Sequence, residues 1–394
     1  MAAITALVSL ECSPPANASP PANASMPPFG TITGRLGPRL PSAEGLPALG
    51  FSAGELVDLP PAELTSRLSA IAATGATWVR FDVTWSAVQP DGPNGWDWTI
   101  PDRVIAAASA YGLQSLPILG YTPAWARVAD CGDWRCAPAR PAEFARFAAA
   151  AVSRYQQAGV GTWEIWNEPN LASSWAPTPD ATAYANLLRA TTAAIRATGM
   201  RATVLAGGLG PAQSGPGEID PVTFLDRLYA VAGAASFDGV AMHPYSFPAL
   251  PSETAQTWSG WSQLRQVRDL MVARDDAGTK IWITEFGAPT GGVGVTATLR
   301  DRRYAASPDH VDESLQRETA VDGCEQALGT PWVQGFFWYD LQDLGADPAD
   351  PADHYGVVRA DGSLKPAYRP LRAAFSGLRR RLGRPSPPLA ITSW

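Results

Sequence analysis

Eight times in succession, between residues 46 and 381, a short apolar stretch is followed by a run whose apolar residues recur at helical spacing. The strand-like stretches cover 46–52, 77–83, 115–121, a segment beginning at Trp163, 202–206, 239–242, 280–284 and 333–338. The helical runs cover 60–75, 101–111, 141–157, 181–198, 222–232, 263–273, 313–328 and 368–381. In the first of these, Leu64, Leu68 and Ile71 fall on one face. Strands that alternate with helices pair in parallel, because each helix carries the chain back to the edge where the strand began. Eight units of roughly 40 residues make a (β/α)8 TIM barrel. An open doubly wound sheet is the rival, but it wants a glycine-rich phosphate turn after its first strand. Gly50-Phe51-Ser52-Ala53-Gly54 does not supply one.

The barrel is therefore expected over 46–382, with linker-like or disordered flanks at 1–45 and 383–394. The first flank repeats Pro-Pro-Ala-Asn-Ala-Ser twice, a composition that has little to bury. Its start, Ala2 to Leu10, is apolar but short and lacks the positive lead of a signal peptide, so it is ambiguous, and a remnant of an export signal with a misplaced start is one reading of it. No apolar run approaches the roughly 18–20 residues of a membrane span.

Net charge is −7 and no basic stripe runs through the chain, which argues against a nucleic-acid partner. Fifteen Trp is a high count; flat rings serve packing, and also serve as platforms in sugar clefts. Cys131 and Cys136 enclose four residues that a local disulfide could close. Metal ligation is the alternative, but the chain has three His and no recurring Cys-x-x-Cys pair, so no metal site is expected. A bridged pair would place the protein outside the cytosol, secreted or at the cell surface.

Chemistry concentrates at strand ends, where barrel active sites are built. The stretch Trp163-Glu164-Ile165-Trp166-Asn167-Glu168-Pro169-Asn170 begins as a strand and stops at Pro169, which cannot donate to a continuing ladder. It leaves Asn167 and Glu168 at the end. Glu285 closes a second such strand, 117 residues on, which is the spacing of three barrel units. Arg80, the pair His243 and Tyr245, and Trp338 fall at the ends of other strands. Two carboxyl groups facing each other among aromatic rings suit glycoside hydrolysis. A separation of about 5–5.5 Å gives retention and about 6.5–9.5 Å gives inversion, and sequence leaves that choice open.

Trp166-Asn167-Glu168-Pro169 followed by Thr284-Glu285-Phe286-Gly287 resembles clan A of the glycoside hydrolases. The likeness extends to Val79-Arg80-Phe81-Asp82-Val83-Thr84-Trp85, Tyr121-Thr122-Pro123-Ala124-Trp125-Ala126, Met242-His243-Pro244-Tyr245 and Trp338, and is nearest to family 39 and related bacterial exopolysaccharide endoglycosidases. The resemblance implies a (β/α)8 fold, Glu168 as acid/base, Glu285 as nucleophile and net retention. It also implies Asn167 on the sugar 2-hydroxyl, Arg80 holding Glu285 ionised, His243 and Tyr245 orienting the nucleophile, and Trp338 as a platform under the sugar. For Trp338 the competing reading is barrel packing. Asp82, Trp85, Trp125 and Asp340 are further cleft candidates, and Glu164 reads as a structural group behind the site.

The expectation is a retaining glycoside hydrolase acting on an oligo- or polysaccharide with no metal or organic cofactor. A catalytically silent glycan-binding barrel and a transglycosylase using the same site are the alternatives. Sugar, linkage and oligomeric state are not set by the sequence.

Overall fold

The computed structural model describes residues 47–345 and 347–381. The expected flanks 1–45 and 383–394 lie outside them. Eight strands form a closed parallel barrel: β1 (Ala48–Ser52), β2 (Trp78–Thr84), β3 (Gln114–Gly120), β4 (Thr162–Asn167), β5 (Thr203–Leu209), β6 (Gly239–Met242), β7 (Lys280–Phe286) and β8 (Val333–Trp338). Each strand pairs with its neighbours in sequence, and β1 closes the ring on β8, with Phe51 opposite Trp338. The helices that follow them are α1 (Pro61–Ala73), α2 (Thr99–Ala110), α3 (Pro141–Tyr155), α4 (Ala181–Ala197), α5 (Pro221–Val231), α6 (Gly260–Ala273), α7 (Glu313–Gly329) and α8 (Tyr368–Arg381). This is the (β/α)8 barrel that the alternation predicted.

Local chemistry explains where the helices begin. Pro61 and Pro141 stand in the first turn of α1 and α3, where an N–H would have no partner. Asp180, Asp220, Ser259 and Asp312 cap α4, α5, α6 and α7 by accepting from backbone N–H groups of the first turn. Leu64, Leu68 and Ile71 are buried on α1.

Side chains that point into the barrel stack in layers. The lower layer is an apolar plug of Ala48, Leu116, Leu205, Ala241, Trp282 and Phe337, with Trp78 packed on it. Trp78 meets Trp282 edge-on at 5.8 Å and Phe337 at 6.5 Å. Outward-pointing residues such as Val79, Phe81, Trp163, Ile165, Ile281 and Ile283 join the larger core beneath the helices. The plug seals one end, so polar groups above it open only toward the C-terminal rim. Cys324, on α7, is a free buried thiol, and burial pushes it up to about 12.

Candidate active site

Arg80 is the centre of the layer above the plug. It is inward on β2 and only 1% exposed. Its Nε donates to Glu164 Oε2 at 2.8 Å and its Nη2 to Glu164 Oε1 at 2.9 Å. Nη2 also donates to Asn167 Oδ1 at 2.7 Å. Nη1 donates to Ser52 Oγ at 2.9 Å and to Glu285 Oε1 at 2.5 Å. A guanidinium has five N–H groups, and these five acceptors take one each. A buried charge so fully partnered is fixed in place, which is the condition for keeping it buried.

Glu164 is the other half of that support. It is buried and also accepts from Gly208 N at 2.9 Å. Gly208 must be glycine here: a Cβ would stand 2.1 Å from His243 Nε2 and 2.8 Å from Glu164 Oε1. Glu164 thus faces Arg80 rather than the cleft, as a group behind the site.

Two backbone irregularities aim Glu285 and Glu168. On β7, Thr284 and Glu285 both face the site, although strict alternation would send them to opposite sides. Between β7 and β8 the register passes from Ile283↔Phe336 to Phe286↔Trp338, so three steps on one strand match two on the other. The extra residue is a bulge, and it turns Glu285 inward. On β4, Trp166 has φ of 69° and Glu168 has φ of 43°. The positive φ values turn Trp166 into the outer core and bring Asn167 and Glu168 to the rim.

His243 joins the two carboxylates. Its Nδ1 lies 2.9 Å from Glu168 Oε1, within hydrogen-bonding distance, and 3.6 Å from Glu285 Oε2. Laid end to end these distances reach 6.5 Å, so those two carboxylate oxygens can be no farther apart. Nε2 of the same ring is 3.1 Å from Thr284 Oγ1. Tyr245 donates its hydroxyl to Glu285 Oε2 at 2.8 Å. Burial alone would raise the Glu285 carboxyl. His243, Arg80 and the Tyr245 hydrogen bond outweigh it and hold the group below its ordinary 4.5.

The structure therefore brings Glu168, Glu285, Asn167, Arg80, His243 and Tyr245 into one cluster. Trp338 is not in it. Its side chain is 0% exposed and packs edge-on against Phe286 at 5.8 Å, in the layer beneath the helices. Phe337 takes the inward place on β8, so the next inward ring is Tyr339. Trp338 as a sugar platform is thus corrected to packing. Trp85 is corrected in the same way: it is buried and stacks on Phe147 at 5.9 Å. Trp125 leans on Trp85 and donates its indole N–H to Gln89 O at 2.8 Å.

Sequence reasoning assigned no role to the tyrosines that complete the rim. Tyr339 meets Tyr355 at 5.2 Å, and Tyr355 meets Tyr245 at 5.8 Å. Tyr339 was discoverable by counting strand parity through β8. Tyr355 lies on the loop after β8, where no periodicity marks it. Tyr121, just past the end of β3, is half-buried near Asp82, Glu285 and Glu168; the loss of solvent first, then those charges, pushes its hydroxyl well above 10.0. Asp82 sits one inward step above Arg80, and its Oδ1 is buried with no hydrogen-bond partner. Asp340 is buried next to Glu55, and burial with that charge pushes its carboxyl well above 3.8.

Away from the barrel interior, Cys131 and Cys136 are disulfide-bonded. Among the described residues, no group of three or more His, Cys, Asp and Glu is placed to hold a metal ion, and no helix is long and apolar enough to cross a membrane.

The profile of the family described as Cellulase, glycosyl hydrolase family 5, matches residues 48–307, well over half of the chain. No curated protein matches it in sequence. Among solved structures it is similar to a family 39 glycoside hydrolase from Bacteroides cellulosilyticus, with a TM-score of 0.62 and 21% identity over 84% of this chain and 64% of that one. The chain thus spans less than two thirds of that relative's length. A monomeric β-xylosidase from Caulobacter crescentus gives 0.58 and 19%, over 82% and 67%. A family 5 structure from Streptomyces cattleya, in complex with a mannosyl-N-acetylglucosamine disaccharide, gives 0.62 and 17%, over 86% and 82%. At these identities the likeness is one of fold. The resemblance to clan A stands, with the sequence match in family 5 and family 39 among the structural neighbours.

Proposed function

The chain belongs to the cellulase family, glycosyl hydrolase family 5, and is a glycoside hydrolase, and from that premise we propose that it cleaves an oligo- or polysaccharide with retention of configuration. Glu285 attacks the anomeric carbon and Glu168 gives a proton to the departing oxygen. The glycosyl–Glu285 ester is then hydrolysed by a water that Glu168 deprotonates. The observation that carries this reading is the shared contact with His243 Nδ1. It keeps the nearer oxygens of the two carboxylates within 6.5 Å, which favours direct attack over a water held between them.

The other groups follow from their bonds. Arg80, His243 and Tyr245 keep Glu285 ionised, as a nucleophile must be. Arg80 occupies the Asn167 amide oxygen, so the Asn167 NH2 is the end left to donate to a sugar hydroxyl. Such a bond strengthens as the sugar approaches an oxocarbenium-like state. The Cys131–Cys136 disulfide favours an oxidising compartment, so we place the enzyme outside the cytosol, secreted or at the cell surface, in polysaccharide degradation.

Replacing Glu285 with Ala tests the assignment. Turnover should vanish, and added azide should restore it on an aryl glycoside with a good leaving group, giving a product of inverted configuration. Full activity in the Glu285→Ala variant would sink the proposal.

A further inference from the structure

Trp134 is 37% exposed, on the loop that follows β3. Its loop is closed by the Cys131–Cys136 disulfide. Within it, Asp133 accepts from both the backbone N and the Nε of Arg135 at 2.8 Å. Arg127 Nη1 donates to Gly132 O at 3.0 Å. Two further bonds tie the loop to the segment that follows Glu168. Arg135 Nη1 donates to Ala172 O at 3.2 Å, and Ala176 N donates to Arg135 O at 3.0 Å. A large apolar ring on a stiff, solvent-facing loop loses little freedom when something stacks on it.

The ring also touches the site. Trp134 meets Tyr121 at 4.7 Å with the planes 87° apart, and Tyr121 meets Trp166 at 5.2 Å. Trp166 is two residues before Glu168. A perpendicular contact with one ring cannot cover both faces of the indole. Trp96 offers a comparison. It is 38% exposed, but it lies flat on Trp98 at 5.5 Å and 7°, and Trp98 stacks on Phe147 of the helix layer. Trp96 extends packing, whereas Trp134 extends the cleft.

We propose that Trp134 is a stacking platform for one sugar ring of the substrate, on the leaving-group side of the bond to be cut. The side follows from the loop's bonds to the segment behind Glu168, and so rests on Glu168 being the proton donor. Sugars stack on indole through the apolar face formed by axial C–H bonds, so the site would accept a β-linked hexose or pentose ring without naming its hydroxyl pattern. Because the leaving-group subsite is also where an acceptor sugar docks in the reverse step, the same ring should govern transfer to added sugars.

The test uses β-1,4-linked gluco-, xylo- and manno-oligosaccharides as probes. Binding is measured calorimetrically on full-length Glu285→Ala protein, alone and with Trp134→Ala or Trp96→Ala added. Trp134→Ala should weaken binding about tenfold, and Trp96→Ala less than twofold. In otherwise native protein, Trp134→Ala should lower the share of glycosyl groups passed to an added oligosaccharide rather than to water. Equal binding by the Trp134→Ala and Trp96→Ala proteins overturns the proposal, as does a parent that binds none of the probes. Unchanged transfer overturns the placement on the leaving-group side. Residual turnover by Glu285→Ala would count against the catalytic assignment alone, because the binding comparison does not depend on cleavage.

Discussion

Arg80 Nη1 lies 2.5 Å from Glu285 Oε1, with the arginine 1% exposed. The same guanidinium holds Glu164, Ser52 and Asn167, so one β2 side chain ties together residues from β1, β4 and the end of β7. Lysine cannot copy this, because one ammonium has three donors and no planar fork. We expect Arg80→Lys to lower kcat/KM by about 10²–10³, the scale for losing a preorganised electrostatic partner. Arg80→Ala should also destabilise the fold by about 3–5 kcal/mol, since it leaves carboxylates buried without their cation. Steady-state kinetics and urea unfolding check both, and near-parental kinetics in Arg80→Lys would remove Arg80 from the mechanism.

Tyr245 should set the acid limit of activity. Glu285 already sits below its ordinary 4.5, despite burial, because His243, Arg80 and the Tyr245 hydroxyl favour the ionised form. A folded value that is depressed gives stability above 4.5 and loses it as pH falls through the folded value. Tyr245→Phe deletes the 2.8 Å bond and moves Glu285 upward. The acid limb of kcat/KM should move to higher pH by about one unit, the equivalent of one hydrogen bond to a charged group. A pH profile that coincides with the parent's would show that Tyr245 does not act through Glu285.

The barrel was legible because period is a property of the whole chain. The structure keeps each predicted element with its ends moved by a few residues at most. The cluster of Glu168, Glu285, Arg80 and His243 was legible because barrels gather chemistry at strand ends. Strict strand alternation alone would not have brought every one of these side chains inward, because the backbone departs from it. Glu285 faces inward only through the bulge after Ile283, and Asn167 only through the positive φ of Trp166. Trp338 was misplaced for the opposite reason: β8 keeps its alternation to the end, and parity puts Tyr339 at the rim instead. The Trp134 contact was hidden because it depends on a loop crossing to Tyr121, which no local pattern encodes.

Asp82 should leave a pH signature in stability. Burial pushes its carboxyl up to about 6; Arg80 opposes the rise, and Glu285 and Glu164 add to it. A raised folded value means the contribution is fully present below 3.8 and is lost as pH climbs through about 6. Asp82→Asn keeps the shape without the charge. Relative to the parent, the variant should be about equal in stability near pH 4 and more stable by on the order of 2 kcal/mol near pH 8. Unfolding in denaturant across that range checks the sign. A difference that does not vary with pH would show that Asp82 keeps an ordinary carboxyl.

The last expectation separates Trp338 from Tyr339. The Trp338 indole N–H is buried with no hydrogen-bond partner, so replacing the ring by Phe breaks no bond and removes only volume. Trp338→Phe should cost about 1–2 kcal/mol of stability and leave kcat/KM within about twofold of the parent. Tyr339 is different. Its N–H is tied to Phe286 O at 2.9 Å, and its ring leans on Tyr355, which leans on the Tyr245 that binds Glu285. Truncating Tyr339 to Ala should lower kcat/KM by about tenfold or more, mostly through KM if the ring contacts sugar. If the losses came in the opposite order, with Trp338→Phe inactive and Tyr339→Ala near parental, the sugar would rest on the tryptophan and strand parity would have misled.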